Sequence, residues 1–105
     1  MSYTIDLQKI ADELDFDLED VEMLLEVFLE SASESLAELK NGIESNNFET
    51  IFHAAHAMKG SASNLTLHEI SDIAKELELT ARAENDVNYQ EYYNKLKSLV
   101  DSISN

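Results

Sequence analysis

One histidine of this chain occupies a position where an exposed imidazole can do chemistry. His56 lies in the segment 48–65, whose apolar residues recur every three or four positions and predict a helix with one buried stripe. At about 100° per residue, His56 points about 130° away from the middle of that stripe. Lys59, Gly60 and Ser63 follow it within two turns, and Lys59 lies at the edge next to the core. The spacing therefore predicts a surface patch that combines an imidazole, a cation and a position without a side chain.

The charges of the chain are distributed unevenly around this patch. The 105 residues include 22 acidic and 7 basic ones, a net charge of -15, yet no Asp or Glu occurs from Thr50 to His68. Nucleic acid and anionic membranes are poor partners for such a chain, because phosphate binding needs clustered Lys and Arg. Lys59 is the only basic residue between Lys40 and Lys75. A surface that keeps carboxylates away and one cation close suits an arriving phosphoryl group.

Length and composition favour one compact, all-helical domain spanning residues 1–105. The chain has no proline, two glycines and 44% apolar residues interleaved with charge. It has no cysteine, so disulfides and thiol chemistry are excluded. The N-terminal residues resemble no signal peptide and no segment has the length of a membrane span, so we expect a cytoplasmic protein. The initiating Met1 and a final helix running almost to Asn105 favour a free-standing protein over a module of a larger kinase.

Periodicity and start signals predict an antiparallel, up-and-down four-helix bundle with a short additional N-terminal helix. The short helix covers about residues 4–14, and the bundle helices cover about residues 18–44, 47–65, 67–84 and 89–104. Four cap-and-acid pairs are expected to start the bundle helices: Asp17 with Asp20, Asn46 with Glu49, Thr66 with Glu69, and Asn88 with Glu91. In the first bundle helix, the predicted buried stripe begins at Leu18 and ends at Ile43.

The sequence around His56 resembles the histidine-containing phosphotransfer (Hpt) domains of multistep phosphorelays. The specific part is the run Ala55-His56-x-Met58-Lys59-Gly60-Ser61-Ala62-x-Asn64-Leu65, on the second helix of a four-helix pattern. One departure is Thr66, where many relatives have glycine. Threonine is a good helix cap, so we expect a sharper start of the next helix there.

The resemblance implies that His56 is phosphorylated and relays a phosphoryl group between receiver domains of a hybrid sensor kinase and a response regulator. Lys59 would neutralise phosphoryl charge, Gly60 would leave room for the partner, and the partner would supply Mg²⁺. Folding the chain about residue 66 brings residues 76–78 opposite His56, so Glu78 is expected to orient the imidazole. Arg82 is expected to pair with Glu78 or to reach the phosphoryl group. Such a domain carries the group as a monomer, without a kinase or phosphatase site of its own.

Two other functions remain open at this stage. The competing hypothesis is a helical adaptor or degenerate Hpt fold that binds a signalling partner without being phosphorylated, in which case binding does not depend on His56. His53 and His56 also form an i, i+3 pair that can chelate a metal, although no neighbouring carboxylate or cysteine completes a ligand set. A sensor-kinase dimerisation helix is disfavoured, because Ala57 follows His56 where an acidic residue is normal in that class.

Overall fold

The protein consists of α-helices joined by short turns. The computed structural model describes residues 7–104, and these residues form five helices without a strand: α1 (Leu7–Leu14), α2 (Leu18–Glu44), α3 (Phe48–Asn64), α4 (His68–Arg82) and α5 (Tyr89–Ser104). The expected N-terminal helix included residues 4–6, which lie outside the described part of the chain. The helix predicted over residues 67–84 is shorter than expected, because Leu67 is its N-cap and residues 83–84 belong to the following turn.

The four long helices pack as a ring in which each helix contacts two neighbours. Helix α3 lies between α2 and α4, and α5 closes the ring by packing against both α4 and α2. Because the turns between successive helices are short, neighbours run antiparallel. Helix α1 packs against α2, and its residues Ile10 and Ala11 are buried. The predicted all-α, up-and-down bundle with an additional N-terminal helix is therefore confirmed. No helix among residues 7–104 is long and apolar enough to cross a bilayer.

The core contains the stripes that the helical periodicity predicts, with one exception. Helix α2 contributes Val21, Phe28, Ala32, Leu36 and Leu39, all buried. Leu18, the expected first residue of this stripe, is 43% exposed instead. It is the first residue of α2, where the helix has only just begun to pack against its neighbours.

Two of the expected helix starts are wrong by one residue or more. Asn47, not Asn46, is the N-cap of α3, and its side chain accepts a hydrogen bond from the Thr50 backbone N–H at 3.1 Å. Thr66 caps nothing with its side chain, because its hydroxyl donates to the Leu65 carbonyl oxygen at 2.6 Å. Both Asn46 and Thr66 instead have positive φ, 53° and 57°. They end the preceding helix and do not start the next one.

The same backbone motif ends α1, α2, α3 and α4. One residue adopts the left-handed conformation, and the next residue's N–H bonds a carbonyl five residues back, which is the Schellman arrangement. The left-handed residues are Asp15, Asn46, Thr66 and Glu84. The closing bonds measure 2.9 to 3.1 Å and join Phe16 to Ala11, Asn47 to Gly42, Leu67 to Ala62, and Asn85 to Thr80. None of these turns uses a glycine, although glycine adopts this conformation most easily.

The α3–α4 hairpin fixes which residues face each other across the site. Leu65 and Leu67 on either side of its turn are 4% and 1% exposed, so the turn is anchored in the core. One turn away, the hydroxyls of Ser63 and Ser71 lie 2.7 Å apart. Continuing at the same register, residue 56 of α3 lies opposite residue 78 of α4.

Candidate functional site

His56 projects from the outer surface of α3, and 62% of its side chain is exposed. Its ring lies nearly parallel to that of Phe52, one turn earlier, with ring centroids 6.0 Å apart and an angle of 14°. Phe52 is half-buried and packs against the core, so it supports the imidazole from below. The sequence interpretation treated Phe52 only as a core residue. Its i, i+4 spacing to His56 was the available signal for this contact.

Glu78 binds the inner nitrogen of the imidazole. Its two carboxylate oxygens lie 3.3 and 3.1 Å from His56 Nδ1. An ionised carboxylate only accepts hydrogen bonds, so Nδ1 carries the proton and donates it. The neutral ring then has its lone pair on Nε2, for which the described residues provide no hydrogen-bond partner. The nucleophilic nitrogen of His56 is therefore defined by Glu78 and faces solvent.

Lys59 completes the cluster from the same helix as His56. Its Nζ atom lies 2.9 Å from each oxygen of Glu78, and 30% of its side chain is exposed, against 10% for Glu78. Burial by itself raises the pKa of Glu78, but hydrogen bonds and charge attraction from Lys59 and His56 outweigh it and hold the pKa below the usual 4.5. The carboxylate therefore stays ionised, and the cluster is neutral overall when His56 is neutral.

Gly60 leaves a gap on the outer surface beside His56. A Cβ atom built at this position would meet nothing within 4 Å apart from its chain neighbours and the backbone of its own helix. The gap is therefore open to solvent and not filled by a neighbouring helix. Gly42 is the opposite case, since a Cβ there would lie 3.0 Å from Ile51 Cγ1 and 3.1 Å from its backbone nitrogen. Gly42 therefore permits close packing of α2 and α3, whereas Gly60 keeps the surface beside His56 free of side-chain atoms.

Two further predicted site residues do not join the cluster. Ser63 lies two turns from His56, where its hydroxyl contacts that of Ser71 and helps to hold the hairpin. Arg82 is exposed at the last position of α4, one turn beyond Glu78. Within residues 7–104 it forms no ion pair, and Glu78 is paired with Lys59 and His56 instead. The expected Arg82–Glu78 pair is absent from the structure.

The second histidine of α3 belongs to a different set of contacts. His53 is 63% exposed, its Nε2 lies 3.7 Å from Glu49, and its ring meets Phe52 edge-on at 5.3 Å. No group of three or more His, Asp or Glu side chains among the described residues is arranged to hold a metal ion. In this part of the chain His53 thus has one carboxylate neighbour, Glu49, and forms no hydrogen bond or ion pair with the cluster formed by His56, Lys59 and Glu78.

Taken together, the fold and site define a helical bundle that presents one oriented, exposed imidazole beside a cation. The family model for the Hpt domain matches residues 23–105 of this chain. The chain therefore belongs to the Hpt domain family, whose members act in histidine phosphotransfer in two-component signalling and interact with receiver domains and kinases. Comparisons with curated proteins and with solved structures gave no match.

Proposed function

We propose that this protein is a histidine phosphocarrier that relays a phosphoryl group between the receiver domains of a hybrid sensor kinase and a response regulator. The observation that supports this role best is the hydrogen bond from His56 Nδ1–H to Glu78, which leaves Nε2 exposed and unprotonated. A carrier needs a nucleophile that also serves as a leaving group, and imidazole has both properties near neutral pH. The carrier works as a monomer in the cytoplasm.

In the forward step, Nε2 of His56 attacks the phosphorus of an aspartyl phosphate on the partner. A new N–P bond forms, the acyl phosphate O–P bond breaks, and the aspartate carboxylate leaves with the electron pair. The imidazole ring gains positive charge as the bond forms. The proton stays on Nδ1, hydrogen-bonded to the Glu78 carboxylate, whose negative charge offsets that of the ring. The reverse sequence passes the group on. Mg²⁺ and the other groups that stabilise the transferring phosphoryl belong to the receiver domain.

Lys59 and Gly60 serve this step in different ways. Lys59 keeps Glu78 ionised through its ion pair, so that the imidazole stays in its reactive tautomer. Gly60 keeps the surface one turn beyond His56 free of side-chain atoms, so the loops of a receiver domain can approach Nε2. Docking therefore needs access at Gly60 as well as chemistry at His56.

A cluster of exposed apolar side chains supplies the docking surface. This apolar patch consists of Phe16, Met23, Leu24 and Val27, and Met23 and Val27 are 65% and 63% exposed. These side chains lie on α2 and the turn before it, whereas Leu79 and Val87, which are also exposed, lie on α4 and in the turn before α5. The apolar patch connects to the site through α2, because Ser31, one turn after Val27, lies with its hydroxyl 3.5 Å from that of Ser61, the neighbour of Gly60. A receiver domain seated on this patch covers the outer surface of α3.

Transfer from a phosphorylated receiver domain with Mg²⁺ tests the proposal. The wild-type protein, His56→Gln and the matched control His53→Gln are each incubated with a panel of labelled receivers, and acid-labile label on this chain is measured. We expect label on the wild type and on His53→Gln, and none on His56→Gln. If folded wild-type protein takes label from no receiver but still binds one equally with and without His56, the adaptor function replaces the carrier function.

A further inference from the structure

Helix α4 carries a lysine on the edge that faces the site. Ser71 and Glu78 both contact α3, so they mark the edge of α4 that lies against it. Lys75 lies four residues after Ser71 and three before Glu78, which places it on that same edge. It is exposed, and within residues 7–104 it forms no ion pair. Lys75 therefore lies on the edge of α4 next to the His56 cluster, and its charge is not paired with a carboxylate of the described residues.

The acidic neighbours of Lys75 on α4 do not neutralise it. Glu76 faces α5, where it accepts a hydrogen bond from the Tyr92 hydroxyl at 2.8 Å. Asp72 precedes Lys75 by three residues, but the structure shows no ion pair between them in the described part of the chain. On the facing helix, α3, no carboxylate follows Glu49. Within residues 7–104, Lys75 is thus a cation without a paired carboxylate, in a molecule whose net charge is -15.

The charge of the neighbouring Lys59, by contrast, is already paired. Its Nζ atom contacts both oxygens of Glu78 at 2.9 Å, so its charge offsets that carboxylate. A phosphoryl group on Nε2 adds up to two negative charges on the outer side of the ring, opposite the Glu78 contact. Moving Lys59 to that side would leave the buried Glu78 without its cation, which is unfavourable.

We propose that Lys75 contacts the phosphoryl group carried on His56 Nε2 and neutralises part of its charge, while Lys59 stays on Glu78. Lys75 lies about 4.5 Å along the α4 axis from Glu78, which is opposite His56, and a flexible four-carbon stem spans that offset. The inference rests on the proposed function, in which His56 carries the phosphoryl group. It assigns the phosphoryl contact to Lys75, whereas the sequence interpretation placed it on Lys59 or Arg82.

The test uses phosphoramidate, which phosphorylates exposed imidazoles without a partner protein. Nε2 of His56 forms the N–P bond, the P–N bond of phosphoramidate breaks, and ammonia leaves. The protein carries His53→Gln and His68→Gln so that His56 is the sole acceptor. The ³¹P signal of the phosphoryl group is followed as a function of pH. Its midpoint gives the pKa for loss of the second phosphoryl proton. The set comprises this background, Lys75→Gln, Lys59→Gln, and the control Lys40→Gln on the outer surface of α2.

We expect Lys75→Gln to raise the midpoint of the phosphoryl titration by about 0.5 pH unit at low salt, the effect of removing one nearby charge through water. Lys40→Gln should leave it unchanged. A shift with Lys59→Gln and none with Lys75→Gln would show that Lys59 moves to the phosphoryl group, and would overturn the inference. Because phosphoramidate needs no receiver, this result is independent of whether any receiver labels His56, so failure of the relay proposal is recognised separately.

Discussion

At the scale of single residues, Glu78 determines what His56 can do. An exposed histidine alone exchanges between tautomers, and only one of them has its lone pair on Nε2. The hydrogen bond to Glu78, at 3.1 Å, selects that tautomer, and Lys59 keeps the carboxylate ionised in a mostly buried position. The three side chains therefore act as one unit. We therefore expect changes in this unit to alter both the stability of the protein and the reactivity of His56.

Two substitutions of Glu78 distinguish the effect of its charge from the effect of its hydrogen bond to His56. Glutamine still accepts from Nδ1–H, whereas alanine does not, so we expect Glu78→Ala to slow phosphoryl transfer by about tenfold and Glu78→Gln to slow it less. Transfer rates from one receiver to the two variants and the wild type make the comparison. Equal rates for Glu78→Ala and the wild type would contradict the positioning role of Glu78.

The depressed pKa of Glu78 also predicts how stability depends on pH. Because the pKa is lower in the folded than in the unfolded protein, the ionised carboxylate stabilises the fold above about pH 4.5. That contribution is lost as pH falls through the folded-state pKa. Near neutral pH we expect Glu78→Gln to lower the free energy of unfolding by about 1–2 kcal/mol, since Lys59 loses its partner. Denaturant unfolding across a pH series should show this difference at pH 7 and a decreasing difference as pH falls below about 4.5, with exposed Glu38→Gln as a control.

At the scale of helices and turns, the two glycines occupy opposite environments in similar helices. Neither has positive φ, so neither provides a flexible joint. The Cβ of Gly42→Ala would press on the buried Ile51 and its backbone, whereas that of Gly60→Ala would extend into solvent. The sequence alone shows two helical glycines, and only the packing distinguishes them.

This contrast makes a matched pair of variants. Gly60→Ala removes the helix-propensity cost of glycine without a clash, and should raise the free energy of unfolding by about 1 kcal/mol. Gly42→Ala should lower it by about 1–3 kcal/mol, because overpacking outweighs the same gain in propensity. Urea unfolding of both variants measures the two signs. If both variants changed the free energy of unfolding in the same direction, that result would contradict a close approach of α2 and α3 at Gly42.

The turn after α3 carries a residue that is poorly suited to its backbone conformation. Thr66 has φ of 57°, and a β-branched side chain is strained in the left-handed region. We expect Thr66→Gly to raise the free energy of unfolding by about 1 kcal/mol, since the relief of strain exceeds the added entropy of the unfolded chain. Thermal unfolding measures it. Thr66→Ser, which keeps the hydroxyl but removes the branch, should give a smaller gain, and a loss of stability in Thr66→Gly would contradict this account.

At the scale of the whole molecule, charge and apolar surface are separated. The net charge of -15 opposes long-range attraction to another acidic protein. Around α3, however, the surface is nearly free of carboxylates, and the apolar patch on α2 extends towards it through Ser31 and Ser61. Such an arrangement favours short-range contact and rapid dissociation, which suits a carrier that must meet two partners in turn.

The apolar patch gives a prediction that leaves the chemistry untouched. Val27→Glu introduces a charge into the patch without burying it, since Val27 is 63% exposed. We expect the rate of transfer from a receiver at low concentration to fall by about tenfold, while phosphorylation by phosphoramidate is unchanged. The matched control is Val87→Glu, because Val87 is 40% exposed beyond the far end of α4. An equal loss in both variants would indicate general charge repulsion and not a docking surface.

The sequence by itself determined the helices and the exposed position of His56, since both follow from local spacing of about 3.6 residues per turn. The motif around His56 carried the resemblance to the Hpt family. Tertiary structure decided the rest. The pairing of Lys59 with Glu78 depends on the register between α3 and α4, and that register is set by the hairpin turn. Asn46 and Thr66 have the side chains of helix caps, yet the paths of the packed helices require left-handed residues there. Contacts between distant residues depend on how the helices pack, which helical periodicity alone does not specify.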